Sequence, residues 1–219
     1  MQITYRKNFH NDILTYCENL FKVLIKQIIQ HYPIEIAIAG KSNVGKSSFI
    51  NFICNRGKLA KTSKEPGRTR LLNYFKINDG EFYLVDLPGY GFAKVSDAEK
   101  KKWGQLIEGY LQQSTGLRNV FMLVDIRHDP TADDMMMFKY LYFYNIPFTI
   151  IATKADKLSR SAGMRRRKEI ADYIGVGVDN VYITSSLDKK GAEKIYERID
   201  QIIANSNTEN EEVEEENEE

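Results

Sequence analysis

Apolar residues along this chain follow two periods, and segments of the two kinds alternate. Continuous apolar runs bounded by turn residues predict buried strands at residues 34–40 (IEIAIAG), 119–126 (NVFMLVDI), 147–153 (PFTIIAT) and 180–186 (NVYITSS). Helices are predicted between them, over residues 47–55, 96–113, from 131 onwards, 160–174 and 190–204. This alternation predicts an α/β fold, in which a mostly parallel sheet is covered on both faces.

One pair of predicted strands departs from the alternation. The segments LLNYFKI (71–77) and EFYLVDLP (81–88) flank Asn78, Asp79 and Gly80. A short Asn/Asp/Gly turn between two apolar runs is typical of an antiparallel hairpin. The sheet is therefore predicted to carry one antiparallel edge strand.

The two ends of the chain differ from its centre. Apolar residues at helical spacing predict a helix over 11–31, which Pro33 closes. Residues 205–219 contain eight glutamates and almost nothing to bury, which predicts disorder. We therefore expect a helical N-terminal extension at 1–33, one domain at 34–204 and a disordered acidic tail at 205–219.

The charge is as uneven as the apolar pattern. The 219 residues carry a formal charge of +1, and without the eight tail glutamates the rest of the chain stands at +9. A basic body favours an anionic partner such as nucleic acid. The two cysteines have no metal or redox spacing, and no apolar run has the length of a membrane span. We expect a cytoplasmic protein without a membrane partner.

A glycine-rich loop joins the first predicted strand to the first predicted helix. It matches G-x-x-x-x-G-K-[ST] in the strand–loop–helix context that this motif requires, which disfavours an ordinary glycine turn. The backbone N–H groups of such a loop converge on phosphate oxygens, where Lys46 would reach the β- and γ-phosphates and Ser47 would ligate Mg²⁺. The predicted nucleotide-binding residues are Gly40, Lys41, Ser42, Asn43, Val44, Gly45, Lys46 and Ser47.

A second loop follows the hairpin and reads D-x-x-G. Its residues are Asp86, Leu87, Pro88 and Gly89. Asp86 would hold Mg²⁺ through a water, and the Gly89 N–H would bond the γ-phosphate. The same residues make a good turn, and it is their offset from the glycine-rich loop that favours the functional interpretation.

Two further loops indicate which base is bound. The strand at 147–153 leads into Thr153, Lys154, Ala155 and Asp156. Asp156 would accept hydrogen bonds from guanine N1–H and the exocyclic amine, which adenine does not offer in that geometry, while the Lys154 stem would lie over the base. The next strand leads into residues that would offer backbone N–H groups to guanine O6, namely Thr184, Ser185 and Ser186.

A basic loop lies between the glycine-rich loop and the hairpin. A threonine there would complete the Mg²⁺ shell and sense the γ-phosphate, so that the loop orders with GTP and loosens after hydrolysis. A flexible basic loop without that role is the alternative. The residues predicted to bind are Gly67, Arg68, Thr69, Arg70 and Leu71, and Lys46 and Thr69 are the predicted catalytic residues.

These loops resemble those of a known family. GKSNVGKSSFIN, EPGRTRLLNYF, VDLPGYGFAKV, LVDIRHDPTADD and TKADKLSR are similar to motifs of the EngB (YihA/YsxC) family of ribosome-assembly GTPases. The resemblance implies a three-layer P-loop NTPase fold of the Ras-like G-domain type, Thr69 as the switch I threonine, and guanine recognition by TKAD with Thr153 in place of the more common Asn. It also implies a role in large-subunit assembly and normal division. Asp129 in DIRHDP departs from the pattern and is expected to alter only a turn.

Two positions bear on turnover. Tyr90 follows D-x-x-G where Ras-like GTPases carry a water-orienting Gln, so hydrolysis without an activator should be slow. Asn43 is a candidate K⁺ ligand beside the phosphates. Two alternatives remain open: a GTP-dependent scaffold with negligible turnover, and an ATP-using P-loop enzyme, which Asp156 disfavours.

Basic residues cluster in two places. The clusters are Lys58, Lys61, Lys64, Arg68 and Arg70, and on the predicted helix at 160–174 Arg165, Arg166, Arg167 and Lys168. Such runs are usually solvated faces, but with the +9 body they favour rRNA phosphates. The predicted partners are a large-subunit precursor and its rRNA, not DNA, and the chain is expected to be a monomer.

Overall fold

The structure, a computed structural model, describes residues 34–60, 71–91 and 97–216, within the compact unit Ile34–Glu219. The predicted helix over 11–31 lies outside these ranges, as do the loop residues Gly67, Arg68, Thr69 and Arg70. Leu71 opens the second described range with an exposed side chain. Within the described ranges, no helix combines the length and apolar character needed to cross a membrane.

The described residues alternate between strands and helices as the sequence predicts. The strands are β1 Ile34–Gly40, β2 Asn73–Ile77, β3 Phe82–Asp86, β4 Leu117–Asp125, β5 Phe148–Thr153 and β6 Val181–Ile183. The helices are α1 Lys46–Ile53, α2 Asp97–Gln113, α3 Ala132–Phe143, α4 Arg160–Ile174 and α5 Ala192–Glu216. The strand order is β2-β3-β1-β4-β5-β6, with β2 antiparallel to β3 and every other pair parallel. The predicted α/β fold and its antiparallel edge strand are confirmed.

Two apolar layers cover the sheet, because successive strand residues point to opposite faces. Ala37 and Ala39 of β1 belong to the core that α2, α3 and α4 complete, whereas Ile36 and Ile38 belong to the core that α1 and α5 complete. The neighbouring parallel strands contribute to both cores in the same way. The sequence therefore reads as continuous apolar runs rather than as alternating ones.

Several elements differ from the sequence-based bounds, and three of these differences concern the predicted loops or the tail. Strand β6 contains only Val181–Ile183, so the Thr184 loop begins earlier than predicted. Helix α1 starts at Lys46, so the lysine and the following serine of the phosphate-loop motif lie in its first turn. Helix α5 continues to Glu216, through most of the segment predicted to be disordered. Glutamate is a good helix former, and a helix already begun extends at little cost.

Candidate functional site

The carboxyl ends of β1, β3, β5 and β6 bring the sequence-predicted loops together. In an open parallel sheet this edge is where ligands bind. The strand register explains the proximity: Ile38 of β1 pairs with Asp86 of β3, and Asp125 of β4 pairs with Thr153 of β5. The glycine-rich loop, the D-x-x-G loop and the TKAD loop therefore face one cleft.

The glycine-rich loop has the backbone of a phosphate cradle. Asn43 and Gly45 have φ angles of 64° and 113°, so the chain curls back before α1 begins at Lys46. Gly40 lies against β4, where a Cβ atom would be 2.8 Å from the Leu123 carbonyl oxygen. Glycine is thus needed at this position for a close backbone approach as well as for the turn. The curl and the helix N-terminus suit an anion.

Lys46 and Asp86 form the charged floor of the cradle. The Lys46 ammonium donates to the Gly40 carbonyl at 3.2 Å. Burial lowers the pKa of Lys46, which the nearby Asp86 opposes. Burial also raises the pKa of Asp86 to about 6, in spite of the attraction of Lys46. Both groups are thus poorly solvated, and an added phosphate and cation would relieve them.

Two buried oxygens in the cradle have no hydrogen-bond partner among the residues that the structure describes. They are the Asp86 Oδ1 atom and the Ser42 hydroxyl. A buried polar atom without a partner is costly unless a ligand or water satisfies it. No group of three carboxylate, histidine or cysteine side chains able to hold a metal occurs in the described part of the chain. Mg²⁺ does not require one, since it is commonly bound by one carboxylate together with waters and substrate phosphates. The residues present therefore fit Mg²⁺ with a nucleotide.

Gly89 lies directly over the cradle. A Cβ atom at this position would be 2.8 Å from the Lys46 Nζ atom and 3.0 Å from the Ser42 hydroxyl. A side chain here would displace the lysine head group from the place it holds. The Gly89 backbone is consequently close enough to the cradle to share a ligand with Lys46.

The TKAD loop is hydrogen-bonded to the phosphate loop. The Thr153 hydroxyl, which is buried, lies 2.8 Å from the Val44 carbonyl oxygen, and the Lys154 ammonium donates to the Asn43 carbonyl at 2.9 Å. Lys154 itself has a φ of 64°, a conformation that a lysine adopts only when its surroundings hold it. These bonds connect the predicted base-binding loop to the predicted phosphate-binding loop.

Asp125 supports Lys154 from the end of β4, and it is not among the site residues predicted from the sequence. Its Oδ2 atom is 2.9 Å from the Lys154 ammonium and 2.7 Å from Arg127. Burial works to raise the pKa of Asp125, but the hydrogen bonds from Arg127 and Lys154 outweigh it and hold the pKa well below its usual range. The sequence signal that could have identified Asp125 is its position, as an acidic residue at the end of the strand that lies beside the TKAD loop.

Asp156 is ionised and oriented by two neighbours. Lys157 forms an ion pair with its Oδ2 atom at 2.9 Å, and the Ser185 hydroxyl donates to Oδ1 at 3.0 Å. The hydrogen bond from Lys157, with a smaller contribution from Ser185, holds the pKa of Asp156 below its ordinary value. A fixed carboxylate at the rim of the cleft can accept hydrogen bonds from a ligand that offers two donors.

In the loop after β6, the three residues predicted to contact guanine O6 differ in what their backbone N–H groups already bond. The Thr184 N–H donates to Ala152 at 2.9 Å and the Ser185 N–H donates to Lys190 at 3.1 Å, both to backbone carbonyls. Among the three residues, Ser186 alone has no acceptor for its N–H in the described part of the chain. Two of the three N–H groups are thus engaged within the protein, and the contact of this loop with guanine O6 stays a prediction, for which Ser186 is the candidate donor.

Comparison with known proteins supports the interpretation of this chain as a nucleotide-binding protein. Residues 35–154 match the family model described as "50S ribosome-binding GTPase". The probable GTP-binding protein EngB of Desulfosudis oleivorans is 48% identical over 75% of this chain and 83% of that protein. The protein of the same name from Clostridium kluyveri is 49% identical over 78% of this chain and 86% of that protein. The chain belongs to the EngB family.

Solved structures support the fold of this EngB-family chain. The crystal structure of a probable GTP-binding protein engB covers 78% of this chain and 99% of its own, with 21% identity and a TM-score of 0.65. Era in complex with MgGDPNP and nucleotides of 16S ribosomal RNA covers 78% of this chain and 55% of its own, with 23% identity and a TM-score of 0.61. The resemblance expected from the motifs and the P-loop NTPase fold are thus confirmed.

Tyr90 of this EngB-family chain is fixed at both its backbone and its side chain. The Ser42 N–H donates to the Tyr90 carbonyl at 2.9 Å. The Tyr90 hydroxyl donates to Asp134 Oδ1 at 2.8 Å, and burial together with Asp134 raises its pKa well above the ordinary value. Asp134 also accepts from the backbone and hydroxyl of Thr131, and the two residues form a capping box where the helix from 131 onwards is predicted to begin. The tyrosine partner of that cap was not predicted.

The basic run on α4 is partly structural. Arg166 donates to the Ile126 carbonyl at 3.0 Å and to Asp129 at 2.9 Å, so Asp129 does more than alter a turn. The Arg167 Nε atom donates to the Val181 carbonyl at 2.7 Å, and its side chain is only 20% exposed. The Arg165 side chain, by contrast, is 74% exposed. Two of the four predicted phosphate contacts are therefore engaged in holding α4 to the domain.

Proposed function

We propose that this chain is a Mg²⁺-dependent GTP switch that acts in the assembly of the large ribosomal subunit and is needed for normal septation and cell division. Family membership supports GTP binding and GTPase activity in general. The description "50S ribosome-binding GTPase" supports the large subunit as the partner. We further propose a cytoplasmic location and a monomeric state.

The observation that carries the nucleotide assignment is the connected pair of loops. Asp156 is fixed as a carboxylate, and its loop is bonded to the cradle through Thr153 and Lys154. A base that satisfies Asp156 is thereby held at a set distance from Lys46 and Asp86. Guanine offers the two donors and adenine does not, so the site discriminates by leaving a wrong base unpaired.

In this assignment each residue of the cradle has one task. Lys46 binds the β- and γ-phosphates, and the Gly89 N–H bonds the γ-phosphate. Ser47, Thr69 and, through water, Asp86 hold Mg²⁺, which would neutralise charge on the phosphates. Thr69 lies outside the described residues, so its part rests on the family motif.

Exchange of Asp156 for asparagine tests the base assignment. Asp156→Asn should lower GTP affinity by about a hundredfold and favour XTP, because xanthine offers an acceptor where guanine has its amine. Asp188→Asn, in the exposed part of the next loop, is the matched control and should leave both affinities unchanged. Equal GTP binding by Asp156→Asn and wild-type protein in a fluorescent-nucleotide titration would exclude the proposed base site.

Co-sedimentation with large-subunit precursors tests the partner. We expect more protein in the particle fraction with a non-hydrolysable GTP analogue than with GDP, and less as salt is raised, because rRNA phosphate contacts are salt-sensitive. Binding that is equal with both nucleotides would contradict the switch.

Turnover separates the switch from a second candidate, a GTP-dependent scaffold with negligible hydrolysis. The attachment of the Tyr90 hydroxyl to Asp134 favours slow hydrolysis, since this side chain cannot orient a water as Gln does. Single-turnover hydrolysis with and without ribosomal particles decides: acceleration by particles supports the switch, and none in either condition supports the scaffold.

Asn43 remains the candidate K⁺ ligand. Its side chain is exposed on the phosphate loop, while its carbonyl is occupied by Lys154. K⁺ beside the phosphates would serve as an arginine finger does. Equal hydrolysis rates in KCl and NaCl would refute this role.

A further inference from the structure

Helix α3 is apolar on its outer side as well as on its inner side. Phe138 and Leu141 are buried against the sheet. On the outer side Met136 is 68% exposed and Phe143 is 76% exposed. A surface helix ordinarily carries charged residues there, and a helix that is apolar all round is normally covered.

Three exposed residues and the half-buried Tyr140 form one continuous patch. Met136, Tyr140, Phe143 and Tyr144 follow the i, i+4, i+7, i+8 spacing that places side chains on one side of a helix. We call these four residues the aromatic face. The Tyr144 ring lies 4.7 Å from the Tyr140 ring and 5.0 Å from the Phe143 ring, measured between centroids. Gln112 of α2 donates to the Tyr140 hydroxyl at 3.0 Å, which fixes that ring.

The charge of the patch selects the class of partner. Between residues 135 and 146 the only charged residue is Lys139, and from α2 the Glu108 carboxylate lies near Tyr140. Nucleic acids are bound by dense Lys and Arg, and so are anionic membrane surfaces. The centres of protein–protein interfaces are instead enriched in Tyr, Phe and Met and depleted of charge. The composition therefore fits an apolar protein surface with a carboxylate opposite Lys139.

The size of the patch argues against self-association. At the exposures observed, its rings and Met136 offer roughly 400–500 Å² of apolar surface. A stable interface needs about 800 Å² on each partner. The patch is too small to hold two copies of this chain together alone, but large enough to anchor a partner that touches the chain elsewhere as well.

We propose that the aromatic face docks a protein component of the particle that this chain binds. The inference rests on the proposed ribosomal function, because binding to the ribosomal particle elsewhere on the chain would supply the second contact that this small patch needs. Phe143 is its central anchor, because a few buried aromatic residues carry most of the energy of such an interface.

Charged substitutions on the aromatic face test the proposal. In co-sedimentation with large-subunit particles and a GTP analogue, Phe143→Asp and Met136→Lys should each weaken binding by about tenfold, the effect of losing one anchor. Val178→Asp, at an exposed apolar residue outside α3 and α4, should change binding less than twofold. GTP affinity should be unchanged in all three, which reports an intact domain.

Photocross-linking identifies the partner. With p-benzoylphenylalanine at position 143, irradiation on the particle should give an adduct that protease digests and ribonuclease does not. An RNA adduct, a cross-link to a second copy or a cross-link within the same chain would overturn the proposal. Wild-type binding that both face variants retain would also overturn it, and leave the ribosomal function standing. Failure of the wild-type chain to bind particles would refute both.

Discussion

Replacement of Asp86 by asparagine should stabilise the protein when neither metal nor nucleotide is bound. Burial raises the pKa of Asp86 from 3.8 to about 6. Because the folded-state pKa lies above the unfolded one, the contribution of Asp86 to folding is complete below pH 3.8 and is lost as pH rises through about 6. At about 1.36 kcal/mol per pH unit, the difference amounts to about 3 kcal/mol at pH 8. Asparagine has no proton to lose and avoids this cost.

Urea unfolding in EDTA at several pH values measures the effect. The advantage of Asp86→Asn over wild type should grow by about 3 kcal/mol between pH 3 and pH 8, most of it between the two pKa values. The attraction of Lys46 is already contained in the pKa of about 6, so it needs no separate correction. Asp79→Asn, at an exposed aspartate in the hairpin turn, is the matched control and should show no such growth.

Added ligand should reverse the order of the two proteins. Wild-type protein gains stability by mass action when Mg²⁺ and GTP bind its folded form, and Asp86→Asn should gain much less. A difference between the variants that does not change with pH, or an asparagine variant less stable than wild type at pH 8 in EDTA, would refute the assignment of Asp86 as a buried, unsatisfied carboxylate.

Three further changes have defined outcomes. Thr153→Val should lower the free energy of unfolding by about 1–2 kcal/mol, because it leaves the Val44 carbonyl without its donor. Thr153→Ser keeps the hydroxyl and should lose no more than the roughly 0.8 kcal/mol of one buried methyl group; equal losses in urea would contradict this. Arg167→Ala should cost about 2 kcal/mol, or roughly 4–8 °C in Tm, against less than about 0.5 kcal/mol for the exposed Arg165→Ala; equal Tm values would exclude an anchoring role. Tyr90→Phe removes the hydrogen bond to Asp134, which should loosen the backbone beside it, so amide hydrogen exchange at residues 89–91 should become about tenfold faster. Unchanged exchange would show that this hydrogen bond does not hold the segment in place.

The predictions that succeeded are those carried by local order in the chain. The strand–loop–helix context around Gly40, the turn at Asn78 and the start of the helix near 131 depend on residues a few positions apart. These features are caused by backbone conformation, by hydrogen bonding of short polar side chains and by the period of the apolar residues. All three causes act between residues that are close together in the sequence. Fold class follows from the same signals, because alternating strands and helices have few ways to pack.

The features that were missed depend on contacts between distant residues. Thr153 and Val44 are 109 positions apart, and Tyr90 and Asp134 are 44 apart. Neither pair has a local signature: a threonine at a strand end and a tyrosine after a turn are compatible with many roles. Arg167 is an error of the opposite kind. From the sequence, a run of basic residues is interpreted as one solvated helix face, but in the fold the Arg167 guanidinium donates to the Val181 carbonyl.

Under the proposed function, the connection between the loops would let one small site both select a base and sense a phosphate. Thr153 and Lys154 are bonded to carbonyls of the phosphate loop, so a shift of the base-binding loop would break hydrogen bonds within the cradle. Asp86 differs from them, because its backbone is paired within the sheet while its buried Oδ1 atom has no hydrogen-bond partner in the described part of the chain. Binding energy from the base would fix the ligand on the hydrogen-bonded pair of loops. The γ-phosphate would then act on a group that is still unsatisfied, and such a group is able to respond to its loss.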